Sequence, residues 1–400
     1  MRDNQRLVMT TVLLTLGFTY PTAAQVKYGP GVTDTEIRVG NTMPYSGPLS
    51  AYATVGKAEA AYFQMINDQG GINGRKLKFI SLDDSFSPPK TVEQTRRLVE
   101  EEDVLLIFSG FGTATNSAVQ KYLNERHVPQ LFLVSGATKW GDPAHFPWTM
   151  GWQPTYQAEG HLFAKFILRN KPEARIGVLY QNDDYGKDYL KGLMEGLGEN
   201  AKTIVEKVSY NVADPTVDSQ IVALKASGAD VFYNVSAAKF ASQSIRKAAD
   251  IGWTPLQLLN SISTAISVLE PAGLEKAAGI VSLQYAKDPN DPQFKNDRGY
   301  QDWLSWMKRY YAGGDQTNTN NVFAYNVSMT LVQVLKQCGN DLTRENIMKQ
   351  AANLSVELPM LLPGIKVSTG PTQFFPIREM QLKRFNGAIW EPLGNTIPAQ

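Results

Sequence analysis

The sequence alternates twice between short apolar runs and amphipathic helix-like segments, and this alternation restricts the fold more than any other feature. Four strand-like runs lie in the first part of the chain, and four more repeat the arrangement later. These runs are 36–41, 77–82, 104–108 and 131–134, then 176–180, 205–208, 231–235 and 256–259. Strands that alternate with helical segments form βαβ units and parallel sheets. The sequence therefore predicts an α/β protein with two doubly wound, Rossmann-like lobes.

The end of the chain has a different pattern. Residues 300–354 are mostly helix-like, and residues 364–390 resemble short strands and turns. A tail of this kind can return to complete both lobes. No low-complexity linker separates the two series, so we expect several short crossings between the lobes, which is how a hinge is built.

The first 24 residues have the order of a secretory signal peptide. Two basic residues, Arg2 and Arg6, precede an apolar run over 7–18, and small residues end at Ala24. We expect cleavage after Ala24 and export to the periplasm. A buried N-terminal helix is the alternative. The apolar run is too short to span a bilayer comfortably.

Composition and motifs exclude several classes of function. The 39 basic and 38 acidic residues leave a net charge of +1, which does not favour nucleic acid as a partner. Cys338 is the one cysteine, so no intrachain disulfide is possible. Neither a metal-ligand spacing nor a phosphate-binding loop nor a nucleophile elbow occurs. We therefore expect no metal, no cofactor and no enzymatic activity.

Two loops at the ends of neighbouring strands could hold an anion. The first contains Phe111, Gly112 and Thr113 at the start of a helix, where backbone N–H groups are unpaired and glycine lets a ligand approach. The second begins at Ser135 and Gly136 and ends at Thr138. Both loops lie at the same sheet edge in this fold. The alternative is that they are ordinary helix caps and turns.

Two tyrosines stand out among the aromatic residues of the loops. Tyr52 and Tyr185 each follow a strand and stand close to small or flexible residues, one in each half of the chain. We expect them to face each other across a cleft.

Five segments, taken in order, match the pattern of a known family. They are MPYSGPLSAY (43–52), NDQGGINGRKLKFISLDD (67–84), GFGTATNSAVQKYL (110–123), VPQLFLVSGATKWGDP (128–143) and LYQNDDYGKDYLKGL (179–193). On these segments the chain resembles the leucine/isoleucine/valine-binding class of type I periplasmic binding proteins, from about residue 34 to the end.

The resemblance implies a clamshell of two lobes with a three-crossing hinge. Lobe one would comprise 34–152 plus 288–361, and lobe two 153–287 plus 362–395. It also implies docking on the membrane permease of an ABC importer. We expect the protein to be a monomer.

The site residues implied by the resemblance depart from an amino-acid site. Members that bind amino acids hold the α-carboxylate at positions that fall here on Gly112, which lacks a hydroxyl, and Thr138. A tyrosine of the second lobe becomes Ala237 or Ala238, next to Ser236, and the acid that pairs with the ligand ammonium falls on Ile262. The family's first-lobe disulfide pair is replaced by phenylalanines at 86 and 111.

A buried ammonium without an anionic partner is costly. We therefore predict a small carboxylate without an α-ammonium and with a larger apolar body, of the benzoate or phenylpropenoid type. Tyr52, Phe111, Tyr185 and Ile262 would form its apolar walls. The alternatives are a branched-chain amino acid or amide, with Asp183 or its neighbour Asp184 supplying the missing charge, and a ligand sensor for a separate receptor.

Overall fold

The computed structural model describes residues 26–399, so the predicted signal peptide lies outside the described residues. The strands are β1 (Lys27–Tyr28), β2 (Glu36–Met43), β3 (Lys76–Asp83), β4 (Leu106–Phe108), β5 (Gln130–Leu131), β6 (Thr149–Met150), β7 (Ile176–Gln181), β8 (Ile204–Tyr210), β9 (Val231–Val235), β10 (Leu256–Leu259), β11 (Val281–Gln284), β12 (Asp341–Leu342), β13 (Ser355–Val356), β14 (Val367–Ser368), β15 (Glu379–Phe385), β16 (Trp390–Pro392) and β17 (Ile397–Pro398). The helices are α1 (Thr54–Asp68), α2 (Pro88–Glu100), α3 (Thr113–Glu125), α4 (Tyr156–Asn170), α5 (Asp184–Leu197), α6 (Asp218–Ala226), α7 (Lys239–Asp250), α8 (Ile266–Leu269), α9 (Leu274–Ala277), α10 (Arg298–Tyr310), α11 (Thr319–Cys338) and α12 (Arg344–Ala351).

The first lobe is built on a five-stranded parallel sheet with the order β3-β2-β4-β5-β6. Helices α1, α10 and α11 cover one face, and α2 and α3 pack together on the other. The strand predicted over 131–134 is shorter than expected. Phe132 has a φ of 58°, which interrupts the extended backbone, and pairing resumes only as a bridge between Phe111 and Val134.

The second lobe contains the larger sheet, with the order β16-β15-β11-β10-β9-β7-β8. Its strands from β7 to β11 are parallel, and β15 joins β11 in the antiparallel direction. The tail of the chain therefore completes this sheet. With the first sheet, this arrangement confirms the predicted α/β fold of two doubly wound lobes.

Three stretches of chain cross between the lobes. The first lies between β6 and α4, the second follows β11, and the third leads into β15. Where the second crossing reaches the first lobe, the N–H of Lys287 donates to the carbonyl oxygen of Met360 at 2.9 Å. The core packing bears on the predicted boundary at residue 362. Ile365, Val367 and Phe374 are buried in the first-lobe core, which puts the third crossing nearer to residue 378.

Local sequence explains where the helices begin next to the cleft. The side chain of Thr155 accepts the N–H of Ala158 and caps α4, and Asp183 accepts the N–H groups of Tyr185 and Gly186 at the start of α5. Among residues 26–399, we find no helix with the length and apolar character needed to cross a membrane.

Candidate functional site

A cavity lies between the lobes, at the carboxyl ends of the strands in both sheets. Its volume is about 120 Å³. A single buried water needs about 10–15 Å³, so the cavity admits a small organic molecule. Of the predicted site residues, those that line it are Tyr52, Phe111, Gly112, Thr113, Tyr185, Ala237 and Ile262.

Aromatic rings form the first-lobe wall of the cavity. The ring centroids of Tyr52 and Phe111 are 5.0 Å apart, and those of Phe86 and Phe111 are 6.1 Å apart. Gly112 has a φ of 91°, and a Cβ atom there would lie 2.4 Å from the Phe86 ring. Glycine is therefore required both by the backbone and by the close approach of the ring.

Helix α3 points its first turn at the cavity. The N-cap position is Gly112, which supplies no side-chain cap to the first N–H groups of the helix. The hydroxyl of Ser135 accepts the indole N–H of Trp140 at 2.8 Å and the N–H of Ala137 at 3.3 Å. Its own proton is therefore available for the Thr113 hydroxyl, 2.8 Å away. With Ser135 as the donor of this bond, the Thr113 proton can point to an acceptor in the cavity.

Four of the predicted site residues do not line the cavity. Ser135 lies behind Thr113, Gly136 packs against the backbone of residue 154, and the hydroxyl of Ser236 bonds to Asn234. Thr138 differs most from expectation, because its role was to meet the ligand carboxylate.

The N–H and hydroxyl of Thr138 instead donate to Asp188 Oδ2 at 2.8 and 3.0 Å. The physical reason is a short 3₁₀ helix over Thr138–Gly141, which carries Thr138 away from the cavity and towards α5. The second loop therefore contributes to the site by supporting Thr113 through Ser135, and the carboxylate assignment of Thr138 is revised.

The two acids considered as ammonium partners are occupied elsewhere. Asp183 caps α5 by accepting backbone N–H groups, and the carboxylate of Asp184 lies 3.0 Å from the ammonium of Lys139. Neither residue lines the cavity.

Sequence reasoning missed three charged residues of the cavity wall: Lys383 on β15, and Lys287 and Asp288 on the second crossing. Lys383 and Asp288 are almost fully buried, with exposed fractions of 2% and 3%. The sequence offered Asp183 and Asp184 as possible ammonium partners and did not point to Asp288, which is the acid that lines the cavity. Neither Lys383 nor Asp288 belongs to a motif, and they are 95 positions apart (383 − 288). Only the return of the tail into the second sheet brings them together.

The ammonium of Lys383 contacts both a hydroxyl group and an aromatic ring. Its Nζ donates to Thr264 Oγ1 at 3.1 Å and lies 4.5 Å from the centroid of the Trp390 ring. Burial lowers the pKa of Lys383 to about 8, and the negative charges of Asp288 and Glu159 oppose this lowering. The side chain is therefore mainly cationic at neutral pH.

The lobes are in direct contact across the cavity. The hydroxyl of Tyr52, from the first lobe, accepts the N–H of Ala238 in the second lobe at 3.2 Å. The hydroxyl of Tyr185 accepts from the amide of Asn260 at 2.9 Å within the second lobe. This is the closed arrangement of a clamshell, with one predicted tyrosine from each lobe on the cavity wall.

Two parallel-sheet lobes, three crossings and an aromatic cavity between the lobes define a clamshell solute-binding protein. Within residues 26–399, no group of three or more His, Cys, Asp and Glu side chains is placed to hold a metal ion. A model of the periplasmic binding protein family matches residues 36–387, and the chain belongs to this family. The resemblance seen in the sequence motifs is thereby confirmed.

Individual relatives are distant in sequence. The chain is 24% identical over 329 residues to Leu/Ile/Val-binding protein homolog 1 of Brucella abortus, covering 80% of this chain and 83% of the relative. A branched chain amino acid ABC transporter protein of Thermus thermophilus with bound valine superposes with a TM-score of 0.83 at 13% identity, covering 92% of this chain and 97% of that one.

A fatty acid ABC transporter substrate-binding protein of Thermomonospora curvata superposes with a TM-score of 0.76 at 18% identity, covering 93% of this chain and 95% of that one. At these identities, the two solved structures show a shared fold, and their ligands differ from each other.

Proposed function

We propose that this protein is the exported, solute-binding component of an ABC importer, and that its lobes close around a small carboxylate with an aromatic or otherwise apolar body. The observation that carries the proposal is the cavity itself. Apolar side chains of both lobes line it, and one helix start opens into it. The family supplies the general role, and the names of the relatives support the link to ABC import.

The ligand carboxylate is assigned to the first turn of α3. Unpaired N–H groups and the positive end of the helix dipole favour an anion at this position. The free proton of the Thr113 hydroxyl adds a directed donor.

The body of the ligand is assigned to the aromatic part of the cavity. Tyr52 and Phe111 face it from the first lobe, and Tyr185 and Ile262 face it from the second. Burial of apolar surface stabilises such a ligand by about 25 cal/mol per Å². Because both lobes contribute, the ligand favours the closed state over the open one.

The lack of an ammonium partner at Ile262, Asp183 and Asp184 favours a carboxylate without an α-amino group. A second candidate is a branched-chain amino acid. It is favoured by one observation, the buried carboxylate of Asp288 on the cavity wall, of which one oxygen has no hydrogen-bond donor among the described residues.

Calorimetric titration of the purified protein with benzoate, a phenylpropenoate, leucine, valine and leucinamide tests the proposal. We expect binding of at least one aromatic acid and none of the amino acids. Thr113→Val should weaken that binding by about 10- to 150-fold, because a hydrogen bond to a charged group is worth about 1.5–3 kcal/mol. Thr138→Val is the matched control, since its hydroxyl bonds to Asp188 outside the cavity. Binding of leucine or valine without any aromatic acid would show that the ligand assignment is wrong.

A further inference from the structure

A second polar site lies in the cavity, separate from the start of α3. It is formed by Lys383 from the second sheet and Asp288 from the second crossing. The α3 turn belongs to the first lobe. A ligand bound between the lobes therefore meets polar groups on both of them.

The ammonium of Lys383 is incompletely satisfied. An ammonium has three N–H donors, and the hydrogen bond that the described residues provide is the one to Thr264 Oγ1. The ring of Trp390 adds a cation–π contact at 4.5 Å. A buried ammonium is costly unless further acceptors reach it, and the cavity is where such an acceptor can lie.

The carboxylate of Asp288 is also incompletely satisfied, in the opposite sense. Its Oδ1 accepts the backbone and side-chain N–H groups of Asn290, both at 2.9 Å. Its Oδ2 is buried and has no donor among the described residues, Lys383 included. The cavity wall thus has N–H donors without acceptors at Lys383 and an acceptor oxygen without a donor at Asp288.

Electrostatics restricts what can lie against these two residues. A second carboxylate on the ligand would be attracted by Lys383 but repelled by Asp288. An ammonium would be attracted by Asp288 but repelled by Lys383. Lys287 also lines the cavity, but its charge is balanced by Asp297 at 2.6 Å. A neutral group that both donates and accepts a hydrogen bond suits the pair best, and a hydroxyl is the smallest such group.

We propose that Asp288 and Lys383 together bind a hydroxyl group of the ligand, which donates to Asp288 Oδ2 and accepts from Lys383 Nζ. This inference rests on the proposed function, because it takes the carboxylate to be held at α3. It makes the solute a hydroxylated aromatic carboxylate and makes Asp288 and Lys383 the residues that select for the hydroxyl.

The first test compares ligands that differ at one ring substituent. Calorimetric titrations would use benzoate, 3-hydroxybenzoate, 4-hydroxybenzoate and 4-methoxybenzoate. We expect one hydroxy isomer to bind at least ten times more tightly than benzoate, since each new bond is to a charged group. The methoxy compound accepts but cannot donate, so it should gain little over benzoate.

The second test changes the protein. The double variant Asp288→Asn, Lys383→Met removes both charges together and keeps the net charge of the cavity wall. We expect its affinities for the hydroxy acid and for benzoate to lie within about threefold of each other, so that the preference for the hydroxyl is lost. The single variant Asp288→Asn, with thermal unfolding as a check on folding, gives the same comparison if the double variant is unstable.

The outcomes separate this inference from the proposed function. Equal affinity for benzoate and both hydroxy isomers would overturn the hydroxyl site and leave the proposed function standing. An undiminished hydroxyl preference in the variants would also overturn it. Binding of leucine but of no aromatic acid would overturn both.

Discussion

The hydrogen bond between Tyr52 and Ala238 joins the two lobes, and Tyr52→Phe removes it while keeping the ring on the cavity wall. The hydroxyl is buried and accepts the N–H of Ala238 at 3.2 Å. Its second contact, to the carbonyl oxygen of Ile262 at 3.5 Å, is at the limit of hydrogen-bond geometry and contributes little.

Tyr52→Phe should destabilise the closed state relative to the open state. In the open state, water can bond to the N–H of Ala238, whereas closure of the variant buries this N–H against a ring without a partner. An unsatisfied buried donor costs about 1–3 kcal/mol. Taking about 1–2 kcal/mol, the fraction of closed protein and hence the ligand affinity should fall about 5- to 30-fold.

Two measurements check this prediction. Calorimetry gives the dissociation constant, and small-angle scattering at sub-saturating and saturating ligand concentrations gives the degree of closure. Tyr45→Phe is the matched control, because that hydroxyl bonds to Ser81 at 2.6 Å within the first lobe. The control should lose stability but not affinity. If Tyr52→Phe binds within twofold of the unaltered protein, the bond between the lobes does not contribute to closure.

Three further predictions concern stability and the shape of the site. Thr138→Val should lower the free energy of unfolding by about 1 kcal/mol without weakening ligand binding, and a loss of affinity would return this residue to the site. Gly112→Ala should destabilise the protein by more than about 1 kcal/mol and disturb binding, because of its φ of 91° and the 2.4 Å approach of the Phe86 ring. Gly313→Ala, with no atom within 4 Å, should do neither in the same thermal and binding assays. Burial raises the pKa of Glu159 from 4.5 to about 7, so its protonated form is favoured on folding. The contribution of Glu159 to the free energy of unfolding should therefore be greatest below pH 4.5 and be lost as the pH rises through 7. Urea unfolding should show the free energy of unfolding fall by about 3 kcal/mol over this pH range, since the pKa rises by about 2.5 on folding. Glu159→Gln should reduce this fall, and an equal fall in that variant would contradict the assignment.

Much of the first-lobe site could be predicted because its residues are local in sequence. The start of a helix after a buried strand fixes the direction of its N–H groups, so Gly112 and Thr113 were found from the motif alone. Tyr52 and Tyr185 were found in the same way, since each follows a strand and strand ends share an edge of the sheet. Thr138 lies outside the cavity because a short 3₁₀ helix turns it towards Asp188, and no sequence pattern predicted that helix.

By itself, the sequence determined the two α/β series, with their parallel strands, and the helix start that faces the cleft. These follow from the periodicity of apolar residues and from glycine at one helix start, which act over short stretches of chain. Only the tertiary structure decided that Lys383 and Asp288 face the same cavity and that Tyr52 reaches the opposite lobe. Such contacts depend on where the returning tail pairs in the second sheet and on how far the lobes close, and neither is encoded in any local pattern of residues.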